Sequence, residues 1–334
     1  MKQDIAQRID KLAATGAPFL FAINYQGDKA YIKRLEEIEA QECLYDMGGR
    51  TNHAHEADTA THKPVLWTPT PPDYDSYRRA FEMVSSNIMA GNSYLTNLTC
   101  QVPVRCNLSL REIHARTEAK YRMLLDDKQG GMGTWACFSP ETFVQIKGGR
   151  IYCYPMKGTA DATLPDAERH LMEDPKEAAE HATIVDLIRN DLSQVATDVR
   201  VERYRYVEQL HTNQGELLQT SSEISGRLPD DYHTHMGSLL DALLPAGSIT
   251  GAPKDSTMRI IEEAEGYDRG FYTGVMGICE DGQLDSAVMI RFVEQRADGL
   301  VFKAGGGITS RSMCSREYEE VLQKVYLPIT GMQP

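Results

Sequence analysis

The stretch FSPETFVQIKGGRIYCYPMKGT, Phe138 to Thr159, constrains this chain more than any other. Thr142 to Ile146 alternates polar and apolar side chains, and Arg150 to Tyr154 is rich in β-branched and aromatic residues. Joined by Gly148-Gly149, the two runs predict a hairpin, because paired glycines supply the positive φ that tight hairpin turns require. Pro155 then breaks the second strand and presents Lys157 in a small loop with Gly158 and Thr159. The hairpin brings Glu141, at the start of one strand, near Lys157, just past the end of the other. A carboxylate and an amine so placed can be a surface ion pair, a structural pair, or an acid and a nucleophile. These residues alone do not choose among them.

With 334 residues, 41% of them hydrophobic, the chain can bury a large core. A net charge of −13 argues against a nucleic-acid partner, which needs a basic face. A small anionic substrate needs only a local cluster of Arg, Lys and backbone N–H groups. The seven scattered cysteines include no C-x-x-C pair, which suits a reducing compartment and disfavours a disulfide framework or a thiolate zinc site. The N-terminus is too polar for a signal peptide and no apolar run is long enough to span a bilayer, so a soluble cytoplasmic protein is expected.

In chain order, Ile5, Ile9 and Leu12 have helical spacing, and Pro18 to Tyr25 reads as a buried strand. Gly48 to Lys63 reads as a loop whose His53, His55 and His62 are solvated rather than a metal tract. After a turn-rich junction near residue 72, Tyr77, Phe81, Val84 and Ile88 predict a helix over Tyr74 to Gly91, and Ser93 to Val104 a long strand. Ser109 to Leu125 is expected to be helical. Asp174-Pro175 caps another helix, which ends in Arg189-Asn190-Asp191, a trio that serves either as a cap or as a functional group. Tyr204 to Leu210 and Leu217 to Ile224 read as strands.

In LLPAGSITGAPKDST, glycines and small hydroxyl residues precede a helix running to Gly266, and such an N-terminus suits an anion. Tyr272 to Cys279 and Gln283 to Val293 read as a second hairpin with Arg291 in its return strand. Leu300 to Ala304 is a strand ending in Gly305-Gly306-Gly307, where the backbone can approach a ligand closely. No complete dinucleotide-binding glycine fingerprint is present. On the last helix, expected over Ser315 to Leu327, Tyr318, Val321, Leu322, Val325 and Tyr326 form a core face, while Glu317, Glu320 and Lys324 share another. That second face is a solvated charged stripe or a place to hold a hard cation.

PMKGT, IVDLIRNDL, GSITGAPK, AGGGI and EYEEVLQK, in that order, resemble the chorismate-binding enzymes over about Tyr74 to Tyr326. This family includes anthranilate synthase component I, isochorismate and salicylate synthases, and aminodeoxychorismate synthase component I. The resemblance implies an α+β fold of two packed β-sheets flanked by helices. Residues 73–330 would form one chorismate-binding catalytic core, with a shortened N-terminal segment, 1–72, packing on it. A regulatory tryptophan site, which some members build from N-terminal segments, is expected to be reduced or absent.

The resemblance also implies roles. Glu180, Glu317 and Glu320 would surround Mg²⁺. Arg291 and Tyr272 would hold the enolpyruvyl carboxylate, and Gly305, Gly306 and Gly307 would meet the substrate through their backbone. Ser248, Thr250 and Lys324 fall at or beside further substrate-contacting positions. Gln219 stands where many members carry histidine and can still hydrogen-bond the substrate. Glu141 matches the general acid for the ring 4-hydroxyl.

Lys157 separates the subfamilies: anthranilate synthases have a small residue there and aminodeoxychorismate synthases a lysine. A neutral lysine amine attacking ring C2 lets ammonia add at C4. The function implied is conversion of chorismate to 4-amino-4-deoxychorismate for para-aminobenzoate and folate synthesis. No glutaminase signature is present, so a separate glutamine amidotransferase subunit is expected to supply ammonia. Anthranilate or isochorismate/salicylate synthesis is the alternative, which Lys157 disfavours. A non-catalytic chorismate-binding regulatory subunit is another, disfavoured by the complete set of acid, lysine and carboxylates.

Overall fold

The computed structural model describes residues 1–53, 64–127, 130–212, 215–327 and 329, and His55 and His62 lie outside them. The described strands form two nine-stranded antiparallel sheets. In the first, Gly215–Arg227, Arg150–Cys153, Thr142–Lys147, Gln283–Val288, Val275–Glu280, Phe19–Ile23 and Ala30–Arg34 are successive neighbours. In the second, Leu95–Cys106, Gly299–Ile308, Phe292–Arg296, Gly133–Ser139, Tyr121–Asp127 and Cys43–Met47 follow one another.

Side-chain alternation produces the layers. Phe19–Ile23 is buried at every position. Phe19, Phe21 and Ile23 join a helical layer that includes Ile5, Ile9, Ile184, Ile188 and Leu240. Leu20 and Ala22, on the opposite face, meet Tyr45, Met123 and Trp135 of the second sheet. The second sheet repeats the scheme: Leu124, Ala136, Phe138 and Val293 pack with Phe81, Val84, Ile88, Ile260 and Val321. The order is therefore helices, sheet, sheet, helices, with both packed sheets buried on two faces, which is why strands such as FLFAI are apolar throughout.

Residues 1–72 are woven into this core rather than packed on it. Phe19–Ile23 and Ala30–Arg34 extend the first sheet and Cys43–Met47 the second, so no structural boundary falls near residue 72. Ser109 to Leu125 is not one helix. The helix Leu110–Arg116, closed at its start by the reciprocal Ser109–Glu112 capping box, gives way to the strand Tyr121–Asp127. There Tyr121, Met123 and Leu125 enter the inter-sheet core while Leu124 faces the opposite way. A two-residue period with both faces buried overrides helix propensity. Gln283 to Val293 is not continuous either, because the first-sheet strand stops at Val288 and the chain resumes at Phe292 in the second sheet. The glycine triplet lies within the strand Gly299–Ile308 instead of beyond its end. Among the described residues no helix is long and apolar enough to cross a membrane.

Candidate active site

Two crossings between the sheets build the site. The chain leaves the second sheet after Ser139 and enters the first at Thr142, and Glu141 lies on this crossing. It returns between Val288 and Phe292, and Arg291 lies there. The crossings run side by side: the Phe138 N–H donates to the Arg291 carbonyl at 3.2 Å and the Val288 N–H to the Glu141 carbonyl at 3.2 Å. Where the sheets part, a cavity opens that is lined by Glu141, Lys157, Ser248, Tyr272, Arg291 and Lys324 together with the three glycines.

Arg291 takes φ +53°, a left-handed conformation that a long side chain adopts only where its surroundings impose it. Its guanidinium donates to the Lys324 carbonyl at 2.6 Å and lies 4.4 Å over the Tyr326 ring. Tyr272 sits just before Val275–Glu280 rather than within that strand. Burial pushes its hydroxyl well above the ordinary phenol range, so it stays a hydrogen-bond donor.

Lys157 is in the short strand Met156–Asp161, not in a free loop. Arg150–Cys153 and Met156–Asp161 lie end to end on Gly215–Arg227, with Cys153 opposite Ile224 and Met156 opposite Ser221. The register then shifts before Thr159, which falls opposite Gln219. Lys157 thus occupies a bulge, a common means of re-aiming a side chain. The Ser222 N–H donates to the Pro155 carbonyl at 3.0 Å, and the Thr220 hydroxyl donates to the Lys157 carbonyl. Behind this strand His181 is fully buried and bonded to the Ser222 hydroxyl at 2.7 Å. Burial and then the Arg205 charge press its imidazole down to about 4, so the ring is neutral.

The short helix Gly247–Thr250 presents Ser248, whose hydroxyl donates to Glu141 Oε1 at 2.7 Å. Glu141 is walled in by protein while facing the cavity. Burial raises its carboxyl above the ordinary range, against the opposing pull of the Ser248 hydrogen bond and the Lys157 and Lys324 charges. Glu141 and Lys157 line the same space without forming an ion pair with one another.

The three glycines differ in what they do. A Cβ on Gly305 would lie 2.5 Å from both the Leu98 carbonyl oxygen and Thr99 Cγ2, so strand packing requires that glycine. The nearest atoms to a Cβ on Gly306 would be Lys324 Nζ at 3.7 Å, Glu317 Oε2 at 3.8 Å and Glu320 Oε1 at 3.9 Å. Gly306 therefore keeps open the space among two carboxylates and an amine.

Burial raises the Glu317 carboxyl, and the Glu320 and Glu180 charges add to the effect against Ser312 and Lys176. Glu320 is also penalised by burial, but its 2.7 Å ion pair with Lys324 holds it below the ordinary range. Glu180 pairs with Lys176 at 3.6 Å. Among the described residues no three ligating groups are gathered tightly enough to hold a metal unaided. Two or three carboxylates around an open space, with water and substrate completing the shell, is the donor set Mg²⁺ accepts, so the residues fit the ion in chemical type.

The mouth of the site is lined by Lys157, Lys176 and Arg311 with Glu180. Sequence reasoning passed over Lys176 and Arg311, although the four-residue step from Lys176 to Glu180 on one helix was a legible signal. Thr250 is buried beneath the site, and neither it nor Gln219 is among the residues lining these cavities.

An uncharacterized PabA-like protein of Haemophilus influenzae is 45% identical over 314 residues, 94% of this chain and 93% of that one. Anthranilate synthase component 1 of Spirochaeta aurantia is 32% identical, covering 97% of this chain and 69% of that one. Aminodeoxychorismate synthase component 1 of Klebsiella aerogenes is also 32% identical, covering 75% and 56%. The fold matches the menaquinone-specific isochorismate synthase of Escherichia coli with a TM-score of 0.74 at 17% identity, over 96% of this chain and 80% of that one. The model of the chorismate binding enzyme family matches residues 8–330, taking in the N-terminal strands as well as all five motifs, and the chain belongs to that family.

Proposed function

We propose that this chorismate-utilising enzyme is an aminodeoxychorismate synthase component I, converting chorismate and ammonia to 4-amino-4-deoxychorismate and water for para-aminobenzoate and folate synthesis. The observation that carries the reading is the Glu141–Lys157 pair, two groups lining one cavity, not bonded to each other, with the acid's protonated form favoured by burial. Percentage identity does not choose between the subfamilies, since an anthranilate synthase component and an aminodeoxychorismate synthase component are both 32% identical to this chain.

In this mechanism the Lys157 amine forms a bond to ring C2. The ring double bonds shift, the C4–O bond breaks, and the hydroxyl leaves as water with the Glu141 proton. Ammonia then bonds to C4, the double bonds shift back, and the C2–N bond breaks to release the lysine amine. Glu141 takes the surplus proton from the new C4 ammonium, which restores both groups. Arg291 and Tyr272 orient the enolpyruvyl carboxylate, the Gly305 to Gly307 backbone meets the ring side, and Ser248 and Lys324 fix Glu141 and the carboxylate wall. Glu180, Glu317 and Glu320 would hold Mg²⁺, which supplies positive charge for the ring carboxylate. Ammonia comes from a separate amidotransferase subunit acting on glutamine. The enzyme works in the cytoplasm, in keeping with its seven free cysteines.

The test is incubation of the purified protein with chorismate, ammonium and Mg²⁺, with the product assigned by mass and NMR. A 4-amino product is expected, and a 2-amino product, isochorismate, or no product overturns the reading. Lys157→Ala should lose the 4-amino product. Unchanged rate and regiochemistry in that variant removes lysine from the mechanism.

A further inference from the structure

His181 stands next to Glu180 in the helix Pro175–Leu192, yet it has no part in the chemistry above. Neighbouring side chains on a helix point about 100° apart, so the two serve different spaces. Glu180 lines the mouth with Lys176 and Arg311. His181 turns inward and is fully buried. Glu177, four residues earlier and so on the same side of the helix as His181, shows what that side meets. A Cβ on Gly158 would lie 2.8 Å from Glu177 Oε2 and 3.1 Å from Leu171 Cδ1. The helix therefore lies directly against Lys157-Gly158, and the missing side chain of Gly158 lets it come that close.

Hydrogen bonding around the ring selects its tautomer. Ser222 is fully buried too. Its hydroxyl oxygen accepts from the Arg205 N–H at 2.9 Å and lies 2.7 Å from His181 Nε2. A neutral imidazole carries hydrogen on one nitrogen and accepts at the other. With hydrogen on Nε2, the Ser222 hydroxyl proton would have no acceptor among the described residues, a costly state for a buried group. With hydrogen on Nδ1, the hydroxyl donates to Nε2. Nδ1 is buried and makes no hydrogen bond of standard geometry in the ligand-free protein. The group it faces is the Lys157 backbone carbonyl, which favours a proton on the ring. That carbonyl already accepts from the Thr220 hydroxyl, and a carbonyl oxygen has room for a second donor.

We propose that His181 is a positioning residue for Lys157, holding the Lys157 carbonyl through Nδ1–H and so fixing how the lysine enters the reaction cavity. The inference rests on the proposed function, in which Lys157 bonds to ring C2. His181 and Glu180 are consecutive in one helix, so the backbone that carries a carboxylate assigned to the ring-carboxylate side also carries the group that places the nucleophile. The distance between those two parts of the site is thereby built into a single rigid element. Contacts of this kind are often long without substrate and tighten when it binds, so the Nδ1–H contact closes once the ring is in place.

Heteronuclear NMR of the histidine-labelled full-length protein at neutral pH reads the tautomer, with His181→Asn assigning the signal. An Nδ1–H ring whose proton moves downfield on adding chorismate is expected. An Nε2–H ring, or a signal that chorismate leaves unmoved, overturns the proposal. Two near-isosteric variants test the role. An asparagine amide falls where the histidine has Nδ1, and a glutamine amide reaches to where it has Nε2. His181→Gln keeps a partner for Ser222 and loses the Lys157 contact, so kcat should fall by roughly ten- to hundredfold with chorismate KM unchanged. His181→Asn should recover most of that loss. Both variants lose the packing of the ring and should melt at the same lowered temperature. Equal kcat values in the two make His181 a packing residue and overturn the positioning role. Ser222→Ala is a smaller change that releases the tautomer and should also lower kcat, and a wild-type kcat there overturns the proposal as well. Failure of the proposed function instead appears in the wild type as no 4-amino product, and the NMR experiment reads His181 in either case.

Discussion

Gly305 and Gly306 are adjacent in one strand, neither has positive φ, and an alanine scan should separate them completely. At Gly305 the added methyl would lie 2.5 Å from the Leu98 carbonyl oxygen, a backbone atom of the neighbouring strand. That oxygen cannot yield without prising the strands apart, so Gly305→Ala should cost about 1–3 kcal/mol of stability, the usual range for overpacking. At Gly306 the closest contacts, 3.7–3.9 Å, are ordinary van der Waals distances to the ends of flexible side chains. Gly306→Ala should leave stability within about 1 kcal/mol of the wild type, and the loss of backbone freedom in the unfolded chain biases the change upward. Its cost falls on the ligand. The methyl occupies the space among Lys324, Glu317 and Glu320, and a poor fit of about 1–3 kcal/mol weakens affinity by roughly ten- to hundredfold. Thermal melts and calorimetric titration with chorismate, with and without Mg²⁺, measure both effects. A Gly306→Ala protein that melts as early as Gly305→Ala, or that binds chorismate as tightly as the wild type, would refute the assignment of that space to substrate and cation.

Three further outcomes follow from groups around the cavity. Glu141→Gln should lower kcat by about 10²–10⁴, the range for a lost general acid, with little change in chorismate KM; a tenfold or smaller drop removes Glu141 from the chemistry. In the proposed mechanism Glu141 acts as its protonated form and burial raises its carboxyl, so Glu141 sets the falling limb of the kcat profile, where the rate drops as pH rises through the raised pKa, while the need for neutral amines limits the rate on the acid side. The Ser248 hydrogen bond favours the charged form, so Ser248→Ala should raise that pKa further and move the falling limb of the kcat profile to higher pH, and a shift to lower pH contradicts the assigned geometry. Arg269, 1% exposed, holds Glu265 at 2.5 Å and the carbonyls of Ile249 at 3.0 Å and Asn97 at 2.6 Å. Arg269→Met leaves Glu265 buried without its partner and should cost about 3–5 kcal/mol in denaturant unfolding; a loss below about 1 kcal/mol means the pair is not structural.

Much of the site was legible because its parts sit in short motifs with local causes. The Asp174 cap accepts from the Lys176 and Glu177 N–H groups as its Asp-Pro signature implies. The hairpin Thr142–Lys147 with Arg150–Cys153 forms across Gly148-Gly149, both at positive φ. What escaped was non-local. Tyr121 to Leu125 carries no local mark distinguishing a strand from the continuation of a helix, and only burial between Leu20 and Trp135 decides it. Val288 to Phe292 reads as uninterrupted strand, because nothing in MIR announces that the chain changes sheets there. The ion pair of Asp191 with Lys254 at 3.1 Å joins residues from motifs more than sixty positions apart, and spacing along the chain has no bearing on such a contact.

The relation between Glu141 and Lys157 depends on those non-local features. Were they the two open ends of one hairpin, nothing would keep carboxylate and ammonium from closing into an ion pair, which at partial burial is worth more than either group left free. They belong instead to different mechanical elements. Glu141 is carried on a crossing between sheets and held by Ser248 from the short helix Gly247–Thr250, while Lys157 is carried on a bulged strand pinned through Thr220 and Ser222, with His181 behind. Thr220, Ser222 and His181 are fully buried and Ser248 is half-buried on its own helix, so the separation is set by the fold rather than by the attraction between the charges. An acid and an amine held apart across a cavity cannot satisfy one another, and each is left to act on whatever occupies the space between them. The same anchoring predicts a double-mutant result. Thr220→Val, which frees the Lys157 carbonyl, should impair turnover far more in the presence of Glu141 than in a Glu141→Gln background, because only the intact acid can draw the loosened lysine into a closed pair. Additive losses in the two backgrounds would mean that Lys157 keeps its place without the strand behind it.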